Sequence, residues 1–268
     1  MKKILTLTAG LLLAVTVSAQ SKKEDCIIMT DSGRTIHAAS VEVAKNAFRY
    51  MDGKIGKSIP KKDVQWVWIP KPKEVRAADK LAREGKHKDA AAAYRKAAKE
   101  FEELGWEVYC TYKQADCLKE SGDSEGAIAA LEKLIDYKPV MPKNEDDLLS
   151  AYKMLIKEYV AAKTFDKAIP IVDSLTISKN DDVACGAFIT KGEVLEAKYG
   201  ASKNREDLKS AALAYFQAAL LFPKSKERPE ALLRAYNAMK MANDARAEKF
   251  AEILKKEHAD SAEAKQLK

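Results

Sequence analysis

The sequence predicts a mostly α protein: an α-solenoid of about five helical hairpins over residues 73–268, preceded by a small β-barrel-like module over residues 20–72 and an export signal over residues 1–19. Three observations carry that reading. A composition with 47% hydrophobic and 32% charged residues but only 11 Gly and 8 Pro suits helices of Ala, Lys, Glu and Leu, and leaves enough apolar residues for a core. The hydropathy period switches from the alternation of strands before Pro70 to the three- and four-residue steps of helices after Val75. Within the helical part, one pattern of small and large residues recurs five times.

The N-terminus reads as an address. Lys2 and Lys3 form a short positive region, Ile4 to Val17 is apolar, and Val17-Ser18-Ala19 puts small residues where signal peptidase cuts, so a mature chain beginning at Gln20 is expected. The apolar run is about 14 residues against the roughly 20 that a span needs, so no membrane span is expected once the signal is removed. The expected location is the periplasm or the exterior. Without Lys2 and Lys3 the 47 basic residues become 45 against 40 acidic, a net charge of about +5 with no arginine-rich tract, and nucleic acid is not an expected partner.

From Cys26 to Ile69 short strands alternate with turns. Cys26 to Met29, Thr35-Ile36, Val41 to Val43 and Ala47 to Tyr50 read as strands, with Asp31-Ser32-Gly33 and Asp52-Gly53 as turns. Val64 to Ile69 is the last strand, apolar on nearly both faces and so expected to be covered on both sides. Pro70, Lys71 and Pro72 end this regime. The order of strands and turns, with Ile59-Pro60 before the closing strand, is similar to that of small SH3-like or Sm-like barrels. A unit of about 45 residues buries too little surface to be robust alone, so it should pack on the helices or pair with another copy.

In the helical part the clearest unit is Ala115, Leu118, Gly122, Ala127, Leu131, Leu134 and Pro139. The three-residue step puts Ala115 and Leu118 on one helix face, Gly122 permits a turn, Ala127 is small where helices touch, and Pro139 stops the second helix. The same steps of five, four and three give Gly85, Ala90, Tyr94, Ala97; Lys163, Ala168, Val172, Leu175; Glu206, Ala211, Tyr215, Ala218; and Ala242, Ala247, Ala251, Leu254. From Val75 to about Ser261 these residues resemble the tetratricopeptide repeat. The alanines at 90, 127, 168, 211 and 247 fall 37, 41, 43 and 36 residues apart against about 34 for the family, which puts insertions at residues 140–145, 178–182 and 200–205. Lys163 and Glu206 stand where the family has Gly, and Pro170 falls early in a helix, where it costs about 3 kcal/mol unless the helix starts late or kinks. The ending Glu257-His258-Ala259-Asp260-Ser261-Ala262 is similar to the closing turn of envelope tetratricopeptide proteins that assist outer-membrane or peptidoglycan assembly.

Catalytic chemistry is not expected. His37, His87 and His258 lie far apart and no Cys-x-x-Cys pair exists, so neither a metal nor another cofactor is implied. The acidic pairs Asp146-Asp147 and Asp181-Asp182 precede apolar helical runs and read as helix caps. Cys110 and Cys117, seven apart on one helix, are separated by about 10.5 Å of helix rise and cannot bridge each other. Whether either pairs with Cys26 or Cys185 is left open by the sequence. Six lysines at 54, 57, 61, 62, 71 and 73 stand against Asp63 alone, a set that either keeps sheet edges soluble or faces an anionic envelope polymer.

A curved array of hairpins leaves a concave face lined by first helices. The resemblance places ligand-facing residues just off the packing pair of each first helix, which selects Tyr109, Tyr112, Asp116, Lys153, Lys157, Glu193, Tyr236 and Lys240 as binding residues. That set lacks the Lys and Asn of carboxylate-clamp members, so their function does not follow. The leading expectation is a non-enzymatic envelope scaffold holding a peptide or protein segment. One alternative makes the β module the working part, binding glycan or self-associating into a homo-oligomer while the array acts as a spacer. A lesser one is an envelope hydrolase.

Overall fold

In the computed structural model, residues 25–135, 137 and 141–267 are described. The export signal with Val17-Ser18-Ala19, the helix stop Pro139 and the first residue of the 140–145 insertion lie outside the described residues. Among the described residues six strands come first: β1 (Cys26–Thr30), β2 (Thr35–Ala38), β3 (Ser40–Val43), β4 (Ala47–Asp52), β5 (Ile55–Pro60) and β6 (Val64–Trp68). They form two antiparallel three-stranded sheets, ordered β2-β1-β6 and β3-β4-β5, and no ladder joins β5 to β6 among the described residues. The expected small β module is thus present as a pair of three-stranded sheets. The chain passes directly from β2 into β3, where the Ala39 N–H donates to the Met51 carbonyl at 2.8 Å. Ile28, Phe48, Tyr50, Ile59 and Val67 meet in one core.

That core is completed from outside the module. Leu104 is buried in it and Phe101 packs against it, both from the segment between the second and third helices. Gly105 permits the approach through a left-handed backbone (φ 85°), and a Cβ there would stand 3.0 Å from the Val67 carbonyl. The Trp106 indole N–H donates to the Ile69 carbonyl at 3.0 Å. The small module thus borrows apolar surface from the helices, as its size requires.

Ten α-helices follow among the described residues: α1 (Lys73–Arg83), α2 (His87–Glu100), α3 (Glu107–Glu120), α4 (Ser124–Leu131), α5 (Glu145–Ala161), α6 (Phe165–Thr176), α7 (Asp181–Ser202), α8 (Arg205–Leu221), α9 (Arg228–Met241) and α10 (Ala247–Glu257). Short turns pair them into five hairpins, and each second helix packs on the next first helix. Ala90, Ala127, Ala168 and Ala211 are all fully buried, as expected of the smallest side chain at a close crossing. Ala127→Leu should overpack its crossing and cost about 1 to 3 kcal/mol; an unchanged urea midpoint would mean that α3 and α4 do not meet there.

The turns correct the sequence reading in two hairpins. Left-handed residues fall at Gly85, Gly122 and Lys163, as the repeat requires, but in the fourth and fifth hairpins they are Lys203 and Asn243, not Glu206 and Ala242. The reason lies in α7: residues 200–202 of the expected insertion continue that helix, and Glu206 falls in the first turn of α8, its N–H capped by the Asn204 side chain at 3.1 Å. Pro170 is inside α6 and removes one backbone donor from it. The paired aspartates are not caps. Asp146 and Asp147 lie in the first turn of α5, and Asn180, not Asp181, caps α7 by accepting from the N–H groups of Asp182 and Val183 at 3.0 and 3.3 Å. The acids face the positive ends of their helices instead.

Strand β5 is not evident in the sequence reading because Ile55 to Ser58 are all exposed, so no apolar alternation marks it. Cys26, Cys110, Cys117 and Cys185 are buried and form no disulfide. No described helix is long and apolar enough to cross a membrane.

Candidate functional site

First helices α5 and α7 and the start of α9 line a groove of about 420 Å³. Helical spacing produces it. Leu149, Lys153, Ile156, Lys157 and Val160 share a face of α5, while Val183, Gly186, Ala187, Thr190, Glu193 and Val194 share a face of α7. Glu227 and Glu230 close the side formed by α9, and Asp182 and Leu175 complete the lining. The floor is apolar and the rim is charged, a combination typical of ligand sites of this size. Gly186 deepens the floor, since a Cβ built there meets no atom within 4 Å.

The charges are sorted. Lys153 and Lys157, one turn apart and both exposed, belong to no ion pair among the described residues. Opposite them, Arg234 bridges Glu193 at 2.8 Å and Glu230 at 3.3 Å. Burial pushes the Glu193 carboxyl above its ordinary value, with Arg234 opposing. Asp182 is tied down by the Ser225 hydroxyl at 2.6 Å and the Lys226 N–H at 3.2 Å, and the serine bond holds its carboxyl below the usual range.

Of the eight residues selected from sequence, Lys153, Lys157 and Glu193 are brought together in this groove. Lys240 borders a shallower depression with Glu196, Arg234, Asn237 and Met241. Its ammonium donates to the Tyr236 hydroxyl at 2.6 Å, and Tyr236 packs on the core of the last hairpins. Tyr112 packs half-buried on α3, with Lys113 4.9 Å over its ring, and Asp116 pairs with Lys113 at 3.6 Å.

Tyr109 belongs to a different cluster, at the junction of β module and array. Its hydroxyl and that of Tyr94 both donate to Asp79 Oδ1, at 2.8 and 2.7 Å, and Lys71 Nζ donates to Asp79 Oδ2 at 2.8 Å. Lys71 also stands 4.4 Å over the Tyr109 ring and 5.5 Å over that of Trp106. Of the six lysines at 54–73, Lys57, Lys61, Lys71 and Lys73 are therefore engaged, with Asp52, Glu103, Asp79 and Glu74. That set is not one free basic face.

Gly186, Thr190, Glu227, Glu230 and Arg234 escaped the sequence reading. Steps of three and seven back from Glu193 would have reached Thr190 and Gly186. Nothing in the sequence marks Glu227 and Glu230, because their place depends on how α9 docks beside α7. Among the described residues no group of three or more His, Cys, Asp or Glu could hold a metal ion.

No protein-family model matches the chain, and no curated protein does. Solved structures do resemble it. The apo form of RapI, a TPR-like repeat protein, is 13% identical with a TM-score of 0.54, covering 71% of this chain and 54% of RapI. MamA from Desulfovibrio magneticus RS-1 is 14% identical (TM-score 0.47; 71% of this chain, 99% of that one). The TPR-like repeats of a putative kinesin light chain from Podosopora anserina are 13% identical (TM-score 0.48; 70% and 95%). At such identities the likeness is one of fold, and the RapI comparison supports a TPR-like helical array for this chain.

Proposed function

We propose that this chain is a non-enzymatic scaffold of the bacterial envelope that holds a segment of a partner protein in the groove of α5, α7 and α9. The observation that carries the reading is the groove itself: an apolar floor opened by Gly186, bordered by lysines that have no ion-pair partner among the described residues. Burying an apolar side chain there would contribute about 25 cal/mol per Å² of apolar surface removed from water. The envelope location rests on Lys2, Lys3 and Val17-Ser18-Ala19 and predicts a mature N-terminus at Gln20, which sequencing of the exported protein checks.

The groove is tested by plugging it. Gly186→Phe puts a ring into open space, so the fold should survive while occupancy is lost. With a photo-crosslinking residue at position 157, partner peptides should appear by mass spectrometry in cells and vanish when Gly186→Phe is added. Position 209, an exposed lysine of α8 outside the groove, serves as the control site. Equal cross-linking with and without the plug would sink the groove reading.

A further inference from the structure

The two walls of the groove carry opposite charge, and the α5 lysines differ in pairing from those of the helices packed around them. Every lysine on α3, α6 and α7 has a carboxylate partner: Lys113 with Asp116, Lys119 with Glu158, Lys167 with Glu132, Lys191 with Asp173 and Lys198 with Asp166. The two lysines of α5, Lys153 and Lys157, have none, and they are the two that face the groove. Across the floor stand four carboxylates, Asp182, Glu193, Glu227 and Glu230; Arg234 pairs with Glu193 and Glu230, the Ser225 hydroxyl and the Lys226 N–H hold Asp182, and Glu227 joins no ion pair among the described residues. The α5 wall is thus cationic, the α7 and α9 side is anionic, and no ion pair closes the gap between them.

Resting on the groove reading above, we infer that the occupant is a protein segment with sorted charges: an acidic residue set against Lys153 and Lys157, apolar side chains on the floor, and a basic residue against Glu227 and Glu230. A uniformly anionic polymer satisfies the lysines but meets four carboxylates, and a uniformly cationic one meets the reverse at α5. Only a segment with both signs, separated by an apolar stretch, leaves neither wall opposed. The raised Glu193 carboxyl points the same way, since a cation brought beside it relieves part of its burial.

Three fluorescein-labelled peptides of equal composition test this with the full chain by anisotropy. One carries its acids before and its bases after a central leucine stretch, one alternates the two signs throughout, and one places both signs at each end. The sorted peptide should bind about tenfold tighter than the other two. Lys153→Glu with Lys157→Glu should erase that preference while circular dichroism stays unchanged. Equal binding of all three peptides, lost together in Gly186→Phe, overturns the charge inference and leaves the groove reading intact. Binding that persists in Gly186→Phe overturns both. Absence of binding by the sorted peptide at millimolar concentration overturns the charge inference.

Discussion

Gly192→Ala is expected to destabilise the array by about 1 to 2 kcal/mol, although alanine favours a helix interior by about 1 kcal/mol over glycine. A Cβ at position 192 would stand 2.5 Å from Tyr215 Cζ and 2.7 Å from Cδ1, closer than side chains approach. The ring cannot step aside cheaply, because Tyr215 is fully buried and its hydroxyl donates to Glu196 at 3.0 Å. Gly186, six residues earlier on α7, faces open groove, and Gly186→Ala should stabilise by about 0.5 to 1 kcal/mol. Two glycines on one helix therefore give opposite signs in urea unfolding. If both substitutions stabilise, the packing of α7 on α8 is not as close as described. A Tyr215→Leu background should remove most of the Gly192→Ala cost, which a double-mutant cycle reads as coupling.

A second large effect is expected at Asp79. Asp79→Ala removes the acceptor shared by Lys71, Tyr94 and Tyr109 and leaves a fully buried tyrosine hydroxyl without its partner, at a cost of about 3 kcal/mol. The pH dependence follows from the shifts. Burial alone would raise the Asp79 carboxyl, but hydrogen bonds from Lys71, Tyr94 and Tyr109 outweigh it and hold the group below its ordinary value of 3.8. Its stabilisation is full above that value and is lost as pH falls through the lower folded one. Burial likewise opposes the Lys71 ammonium, yet its bonds to Asp79 and Tyr109 raise it above 10.5, so its share is full below 10.5 and is lost as pH rises through the folded value. The stability gap between the wild type and Asp79→Asn should be widest between those limits and narrow at both extremes. A gap that is flat from strongly acidic to strongly alkaline pH would show that the cluster carries no charge coupling.

The five hairpins were legible because a single requirement recurs in each: an alanine at the crossing of two helices, spaced regularly enough to survive irregular insertions. The offset carried over from the repeat resemblance put Lys153, Lys157 and Glu193 on the faces of α5 and α7 that line the groove. Tyr109 was not. Its hydroxyl answers to Asp79, 30 residues away on another helix, and local spacing carries no trace of that bond. Nor can the sequence distinguish Gly186 from Gly192, since one is defined by open space and the other by a tyrosine ring. Strand β5 stayed hidden for a related reason: its ladder with β4 is made by backbone groups, and of its residues only Ile59 is buried.

The four buried thiols divide the molecule into reporting zones. Cys26 lies in the first strand, Cys110 and Cys117 in the second hairpin, and Cys185 in the fourth. Burial pushes the Cys110 thiol up to about 12 and raises Cys117 and Cys185 as well, so an alkylating reagent finds almost no thiolate while these helices are closed. Modification must then wait for local opening, and its rate at each position measures how often that stretch unfastens. In a chain of stacked repeats, where each unit leans chiefly on its neighbours, those rates map a gradient of fraying from the ends inward. The cysteines make this protein its own gauge of where a linear architecture comes apart first.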